Sequence, residues 1–461
     1  MKTIVTIARI LVGSLFIVSG LIKANDALGF SYKLEEYFSP KALDMPFFEP
    51  YALELAIIIC IAEILLGVAA LLGAKAKLTS VLLMLMILFF TWLTFYTATC
   101  DPHEQITVVR DGVEVTESPE CVLECGCFGN AIPLTPWESF TKDVILLVLI
   151  LIIFIGTFTG RVKLNKSGED MVIVAFSLLL IAVFSMALLD WLFPVLFTAI
   201  ALGLAISVKR RLQTNKNKEW FMAIAIVLVC GIFQYYTIAH LPTRDYRPYA
   251  EGKNIREQMK TAEELGKEPP VYAVEYTFTN VNTGEDSVVL SNDYLDIYKE
   301  EWFKNTYESK TWEGPTVTVE EGYTPAITDF EITTRDGSDM TEELINGEEF
   351  IFLIIAYDIE NTDTGEIEKL AELTKAAQEK GHEVYGITSS NYEQTEQFRH
   401  DHKLPFEFLV GDGIVLKTMI RSNPGIMLLR DGKVLRKWHH NDTPTLKQIE
   451  DNKYYKEAKL D

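Results

Sequence analysis

Six cysteines occur in the 461 residues, and four of them, Cys100, Cys121, Cys125 and Cys127, fall within one 28-residue stretch. Thiolates are nucleophiles, and paired thiols carry two electrons, so this cluster is the first candidate for chemistry. A disulfide closed across Cys125-Gly126-Cys127 would be a tight ring, and strained, exposed disulfides are the more oxidising and exchangeable kind. Cys100 and Cys121 would then supply a second pair. Two dithiols suit a relay in which one takes electrons from a client and the other passes them to a membrane-dissolved acceptor. The same four thiols could equally staple a loop, and both readings stand on cysteine arithmetic alone. A zinc site using these thiols with His103 fits poorly, because C-x2-H and C-x3-C-x-C are not zinc-ligand spacings. Cys60 and Cys230 lie in apolar runs and read as small packing residues.

What positions the cluster is a set of apolar helices. Apolar stretches of about 20 residues, the length that crosses a bilayer, run over 4–22, 51–73, 79–98, 140–159, 171–189, 192–208 and 220–239. The sixth is short and follows the fifth closely, so a re-entrant pair is an alternative there. Trp137, Trp191 and Trp220 sit at span edges, as interfacial anchors should. Lys75, Lys77, Arg161, Lys163, Lys166 and the cluster from Lys209 to Lys218 fall in alternate loops, which places the N-terminus in the cytoplasm. The cysteine loop and everything after residue 240 then face the oxidising side of the envelope, where disulfides persist. Within the spans, charges are costly. Arg9, Glu63 and Asp143 stand out, and a buried Arg9–Glu63 ion pair is the expected arrangement, with Lys23 snorkelling to the interface.

The two halves differ sharply in charge. Residues 1–240 hold 17 basic and 20 acidic side chains, whereas residues 241–461 hold 25 and 44. An acidic, water-loving second half excludes a nucleic-acid grip, which needs basic surface. Residues 271–320 alternate in places and contain an Asn-Thr-Gly turn, so they read as strands. Farther on, strands are expected at 350–357, 383–389, 406–410, 424–429 and 433–438, with helices at 364–380, 391–402 and 444–456. Asp431-Gly432 marks a hairpin between the last two strands. His382, His400, His402, His439 and His440 read as surface histidines, and no metal site is expected.

The run CGCFGNAIPLTPWESFTKDVILL (125–147) resembles the motif of DoxX/MauE-type membrane proteins. The segments ARILVGSLFIVSGLIKANDALGFSYKLEEYF (8–38) and AEILLGVAALLG (62–73) resemble that family's first and second helices. The resemblance implies a four-helix bundle. It also implies a link to disulfide formation in an exported dehydrogenase subunit, and a layout like that of vitamin K epoxide reductase and the bacterial disulfide oxidase. Asn130 follows CGCFG where the family commonly has Asp, so this chain offers no carboxylate at that position for handling protons. The order of elements after residue 321 resembles the thioredoxin-like fold of peroxiredoxins and periplasmic thiol reductases. That match includes GYTPAITDFEITTRDG (322–337) and Asn423-Pro424-Gly425 at the family's cis-proline. No Cys-x-x-Cys is present; Asp358 to Thr364 stands in its place, so this domain has no thiol for exchange, and its groove at Asn423 and Pro424 is left as a peptide or partner site. Together with RPYxxGxNIxxxM (247–259), the whole layout resembles a DoxX family of Bacteroidetes-type bacteria.

The expected chain is therefore a polytopic α-helical membrane protein followed by an α/β thioredoxin-like soluble domain. It divides into a bundle (1–160), added spans (161–240), a β-rich segment (241–320) and a thioredoxin-like end (321–461). Two functions follow. One is a membrane thiol–disulfide oxidoreductase acting on envelope proteins through Cys125, Cys127, Cys100 and Cys121, with a quinone as acceptor. The other is a non-catalytic envelope scaffold whose outer domain binds a partner.

Overall fold

The computed structural model describes residues 2–101, 106–110, 113–117, 119, 121–122, 126, 128–312, 314 and 316–458. Its first half is helical. The elements are α1 (Lys2–Asn25), α2 (Ala27–Phe38), α3 (Ala52–Leu72), α4 (Ala76–Thr99), α5 (Pro136–Phe158), α6 (Ser167–Phe184), α7 (Phe193–Arg211) and α8 (Lys218–Ala239). A π-helical turn, Ser185–Leu189, extends α6. All but α2 are long and apolar enough to cross a membrane, giving seven candidate spans among the described residues. The fifth and sixth are two separate helices joined at Asp190, which takes a left-handed backbone. The local sequence explains the ends: Thr135 caps α5 in a reciprocal capping box with Glu138, and Pro136 fills its first turn.

Helix α1 is the hub. It is buried along most of its length and packs on α3, α5, α6, α7 and α8. Close approach to antiparallel α3 is set by glycines: a Cβ on Gly13 would lie 2.6 Å from Leu71 Cγ, and one on Gly67 would lie 2.7 Å from the Gly13 carbonyl oxygen. One apolar core joins α1 and α3 to α6, α7 and α8, so the three added spans share the bundle's interior. A second core joins α1 and α3 to α4 and α5. The outer faces carry exposed Leu85, Trp92, Leu179 and Ile232, as a lipid-facing surface should. Trp137 and Trp220 are exposed at helix ends, but Trp191 is buried in the core and stacks on Phe193, contrary to its expected anchoring role. The turn at Asp190 folds it inward.

Between α4 and α5 the chain forms a two-stranded antiparallel hairpin, β1 (Ile106–Arg110) with β2 (Val113–Glu117). Beyond α8, β3 (Val271–Asn280) pairs antiparallel with β4 (Asp286–Leu290), β5 (Tyr307–Thr311) and β6 (Thr316–Glu320). Then follow β7 (Ile332–Thr333), β8 (Ile351–Ile355), β9 (Glu383–Thr388), β10 (Glu407–Gly411), β11 (Gly425–Arg430) and β12 (Lys433–His439). They form one sheet in the order β12-β11-β8-β9-β10-β7. The β8–β9 and β9–β10 pairs are parallel and the others antiparallel. Every residue of β8 is buried, as expected of a central strand covered on both faces. The helix Ile367–Glu379 and the C-terminal residues Leu446, Ile449 and Tyr455 cover one face, and the helices Gly413–Met419 and Thr341–Asn346 cover the other. The stretch 250–255 runs along β12, with Gly252 and Ile255 donating to Val434 and Gly432. This stretch is therefore part of the sheet domain, although β3–β6 separate it in sequence.

Candidate functional site

The cysteine loop is pinned at both ends. Cys100 caps the end of α4 and is disulfide-bonded to Cys121, with their Cα atoms 5.7 Å apart. Val122 is buried against Tyr37 of α2 and Leu93 of α4. Phe128 enters the core of the bundle, and a short 3-10 turn, Gly129–Ala131, leads on to α5. Cys125 and Cys127 lie outside the described residues, so the expected pair between them is not placed; their neighbours Gly126 and Phe128 are. Gly126 and Gly129 have φ of 70° and 48°. That left-handed region costs roughly 1–2 kcal/mol for a residue with a Cβ, which accounts for glycine at both positions.

Two cavities meet at this loop. One, of about 270 Å³, lies between α2, the residues after α8 and the sheet domain. Gly126, Gly129 and Asn130 line it, opposite Tyr32, Lys417 and Arg421. The other, of about 300 Å³, lies within the bundle near the cysteine-loop end of α1, and its wall is almost wholly apolar. Phe128 is part of that wall, and exposed Leu188 beyond α6 opens it toward the bundle surface. Lys23 lines both cavities.

The polar groups of the inner cavity are paired lysines and carboxylates. Lys23 is buried, with its Nζ 2.6 Å from Glu63 Oε1 and 2.9 Å from Ser19 Oγ. It also lies over the rings of Phe30 and Phe90 at 5.6 and 5.3 Å. Glu63 Oε2 is buried and makes no hydrogen bond among the described residues. Across the cavity, buried Asp143 pairs with Lys142 at 2.9 Å and accepts from Thr94 Oγ1 at 3.1 Å. Lys142 in turn sits 5.2 Å above the ring of Phe128.

This arrangement corrects the expected Arg9–Glu63 pair and the snorkelling of Lys23. Arg9 is level with the far end of α3, where it donates to the carbonyls of Ala70 and Leu71 and to Asn165 Oδ1 at 2.8–2.9 Å. The glycine contacts fix the reason: Gly13 lies against Gly67 and Leu71, and Gly20 against Cys60, Glu63 and Ile64. Glu63 is therefore about two turns from Arg9 and within one turn of Lys23. Lys142 was not singled out from the sequence. The signal available was its adjacency to Asp143 at the loop end of a span.

The sheet domain docks on the same end of the bundle. Arg421 Nε is 2.9 Å from Asp26, which caps α2, and the hydroxyls of Tyr32 and Tyr357 lie 2.9 Å apart. Asn25 and Asn441 add donors to the Arg244 and Ala239 carbonyls. The Asn423–Pro424 peptide is cis, but Pro424 is buried. The Asn423 carbonyl accepts from Asp363 N at 2.9 Å, and its Nδ2 donates to the Asp358 carbonyl at 2.6 Å. The cysteine-free loop 358–363 thus takes up the carbonyl and the side-chain amide of Asn423.

His439 also departs from expectation: it is buried, where surface exposure was expected. Its ring lies against that of His440, with centroids 4.0 Å apart and the planes tilted by 39°. Nearby, His240 Nδ1 lies 2.8 Å from the Asp442 carboxylate, and His440 Nε2 lies 3.7 Å from Asp363. Burial, and then the neighbouring His440, push His439 down to about 4, although Asp442 and Asp363 oppose the shift. Because the folded form prefers the neutral ring, the unfolded chain binds more protons between pH 6.5 and 4, and stability falls as pH drops through that window. The full shift is worth about 3 kcal/mol, and screening by solvent at half-buried His440 reduces the expected loss to about 2. Thermal melts from pH 7 to 4 check this: His439→Gln should flatten the dependence, and an unchanged slope would count against it.

No curated protein matches the chain. Residues 1–103 match the family model described as methylamine utilisation protein MauE. That match covers α1 to α4 and ends just beyond Cys100, before the CGCFG element. With its seven spans, the chain is a multi-pass membrane protein whose N-terminal region is similar to the MauE family.

Proposed function

We propose that this protein is a membrane thiol–disulfide oxidoreductase of the cell envelope, with a thioredoxin-like outer domain that takes no direct part in exchange. Cys125 and Cys127 exchange with a quinone acceptor in the membrane, and Cys100–Cys121 is the second dithiol, which meets the client. The observation that carries the reading is the placement of the loop. Gly126, Gly129 and Asn130 face the cavity under the sheet domain, whose lining includes many charged side chains, while Phe128 faces the apolar cavity inside the bundle. A loop between an aqueous vestibule and a lipid-side cavity is where electrons from a protein thiol can reach a lipophilic acceptor. The likeness of residues 1–103 to the methylamine utilisation protein MauE supports the membrane setting of this reading. The protein is proposed to sit in the inner membrane with its N-terminus cytoplasmic and both the loop and the sheet domain periplasmic. Thiol trapping in intact cells tests the function. Depleting quinone should shift Cys125 and Cys127 toward the alkylated, reduced form, and Cys127→Ala should leave Cys125 in a mixed disulfide with Cys100 or Cys121. An alkylation state indifferent to quinone supply would refute the reading.

The docking of the sheet domain favours a second reading, a non-catalytic scaffold for an envelope complex. Its redox loop lacks cysteine, and Arg421–Asp26 ties it to the bundle. Affinity purification of the full chain and of a chain lacking residues 241–461 separates the two. The scaffold requires loss of a stoichiometric companion on deletion.

A further inference from the structure

We infer that the apolar cavity is the seat of a quinone-class lipophile, and that the Lys23–Glu63 pair is the polar anchor for the oxygens on its ring. This inference rests on the redox reading above and assigns its acceptor site. Four observations carry it. The cavity, at about 300 Å³, is at the small end of ligand pockets, which run from roughly 300 to 1,000 Å³. Its wall is apolar and reaches the bundle surface at Leu188, so a ligand dissolved in lipid can enter from the side. Its polar groups include the Lys23 ammonium and Glu63 Oε2, a carboxylate oxygen that is buried and lacks a partner, whereas Asp143 across the cavity is already paired with Lys142 and accepts from Thr94. A buried acceptor of this kind calls for a donor. Finally, Lys23 also faces the cavity under the sheet domain, so the anchoring group is in contact with both the lipid-side and the vestibule-side spaces.

The chemistry balances. The Cys125 and Cys127 thiols lose two protons and two electrons as their S–S bond forms, and the ring's two carbonyl oxygens take up two electrons and two protons to become hydroxyls. Lys23 Nζ donates to a carbonyl of the oxidised ring. After reduction, a ring hydroxyl donates to Glu63 Oε2. The pair therefore holds both states, and Glu63 favours the reduced one.

The test uses the full-length chain in detergent and a benzoquinone carrying a decyl tail, in its oxidised and reduced forms. Saturable binding of both forms is expected, read as a rise in melting temperature and by equilibrium dialysis. Replacing both charges, Lys23→Met with Glu63→Met, avoids leaving one ion alone and should weaken binding of both forms at least tenfold. Glu63→Gln should weaken the reduced form about tenfold and leave the oxidised form within about twofold. Binding by the double variant equal to the native protein's would overturn the assignment, as would a chain that binds neither form. If the native chain binds the probe through this pair but its cysteines are never oxidised by it, the seat is supported and the thiol–disulfide reading is what fails.

Discussion

Replacing Lys23 with Met should destabilise the bundle by about 3–5 kcal/mol, because it leaves Glu63 charged and alone at lipid depth. Both side chains are buried to within a few per cent, and their contact is 2.6 Å. The Glu63→Leu variant should lose a similar amount, since the ammonium would keep only Ser19 and the faces of Phe30 and Phe90. Those faces are worth up to about 2 kcal/mol for a desolvated cation. The informative variant carries both changes. Buried ion pairs replaced together by apolar groups of similar volume are often neutral or better, so Lys23→Met with Glu63→Leu should recover to within about 1 kcal/mol of the native protein. Unfolding in mixed micelles, followed by circular dichroism, reads all four corners of the cycle. Single variants within about 1 kcal/mol of native would mean that water or lipid headgroups already solvate the pair. The contrast matters for function, because a pair that contributes little net stability, yet persists facing a cavity, is better explained by what it binds.

Much of the architecture was legible in the sequence. The seven spans stood out because nothing but a membrane asks for about 20 apolar residues in a row, and the helices differ from the expected limits mainly in their polar ends. The sheet after residue 321 could be read because Phe350–Ile355 and Gly425–Leu429 are short apolar runs bounded by turn residues, and Asp431-Gly432 has the two positive φ angles of a tight hairpin turn. The helix Gly413–Met419 escaped notice because seven residues give too little periodicity to separate a helix from a buried strand. Depth was harder. Which charge meets Glu63 depends on how far α1 slides along α3, and that is set by Gly13, Gly20 and Gly67, whose role appears only when the two helices touch. Trp191 and His439 were misjudged for a related reason: composition places them at a boundary, and tertiary packing buries them. Of the candidate site, the cysteines announced themselves, whereas the cavity beside them is a property of six chain segments at once.

Removing the Cys100–Cys121 bridge should have two separable effects. In the chain-entropy account, a disulfide closing a loop of about 22 residues stabilises by about 3 kcal/mol. The variant to use is Cys100→Ser with Cys121→Ser, because either change alone leaves a free thiol four or more residues from Cys125 that can pair wrongly. Its melting temperature should fall, and the local change should show first where Val122 packs on Tyr37 and Leu93. At temperatures well below that melt, the relay predicts a second loss. Oxidation of a protein client should stop, while Cys125 and Cys127 continue to exchange with a small dithiol such as dithiothreitol, which needs no intermediary. If the bridge were only a staple, client oxidation at low temperature would match the native rate, and the lowered melt would be the whole effect. The assay thus reads stability and electron flow from one protein, and undiminished client turnover would confine the exchange chemistry to Cys125 and Cys127.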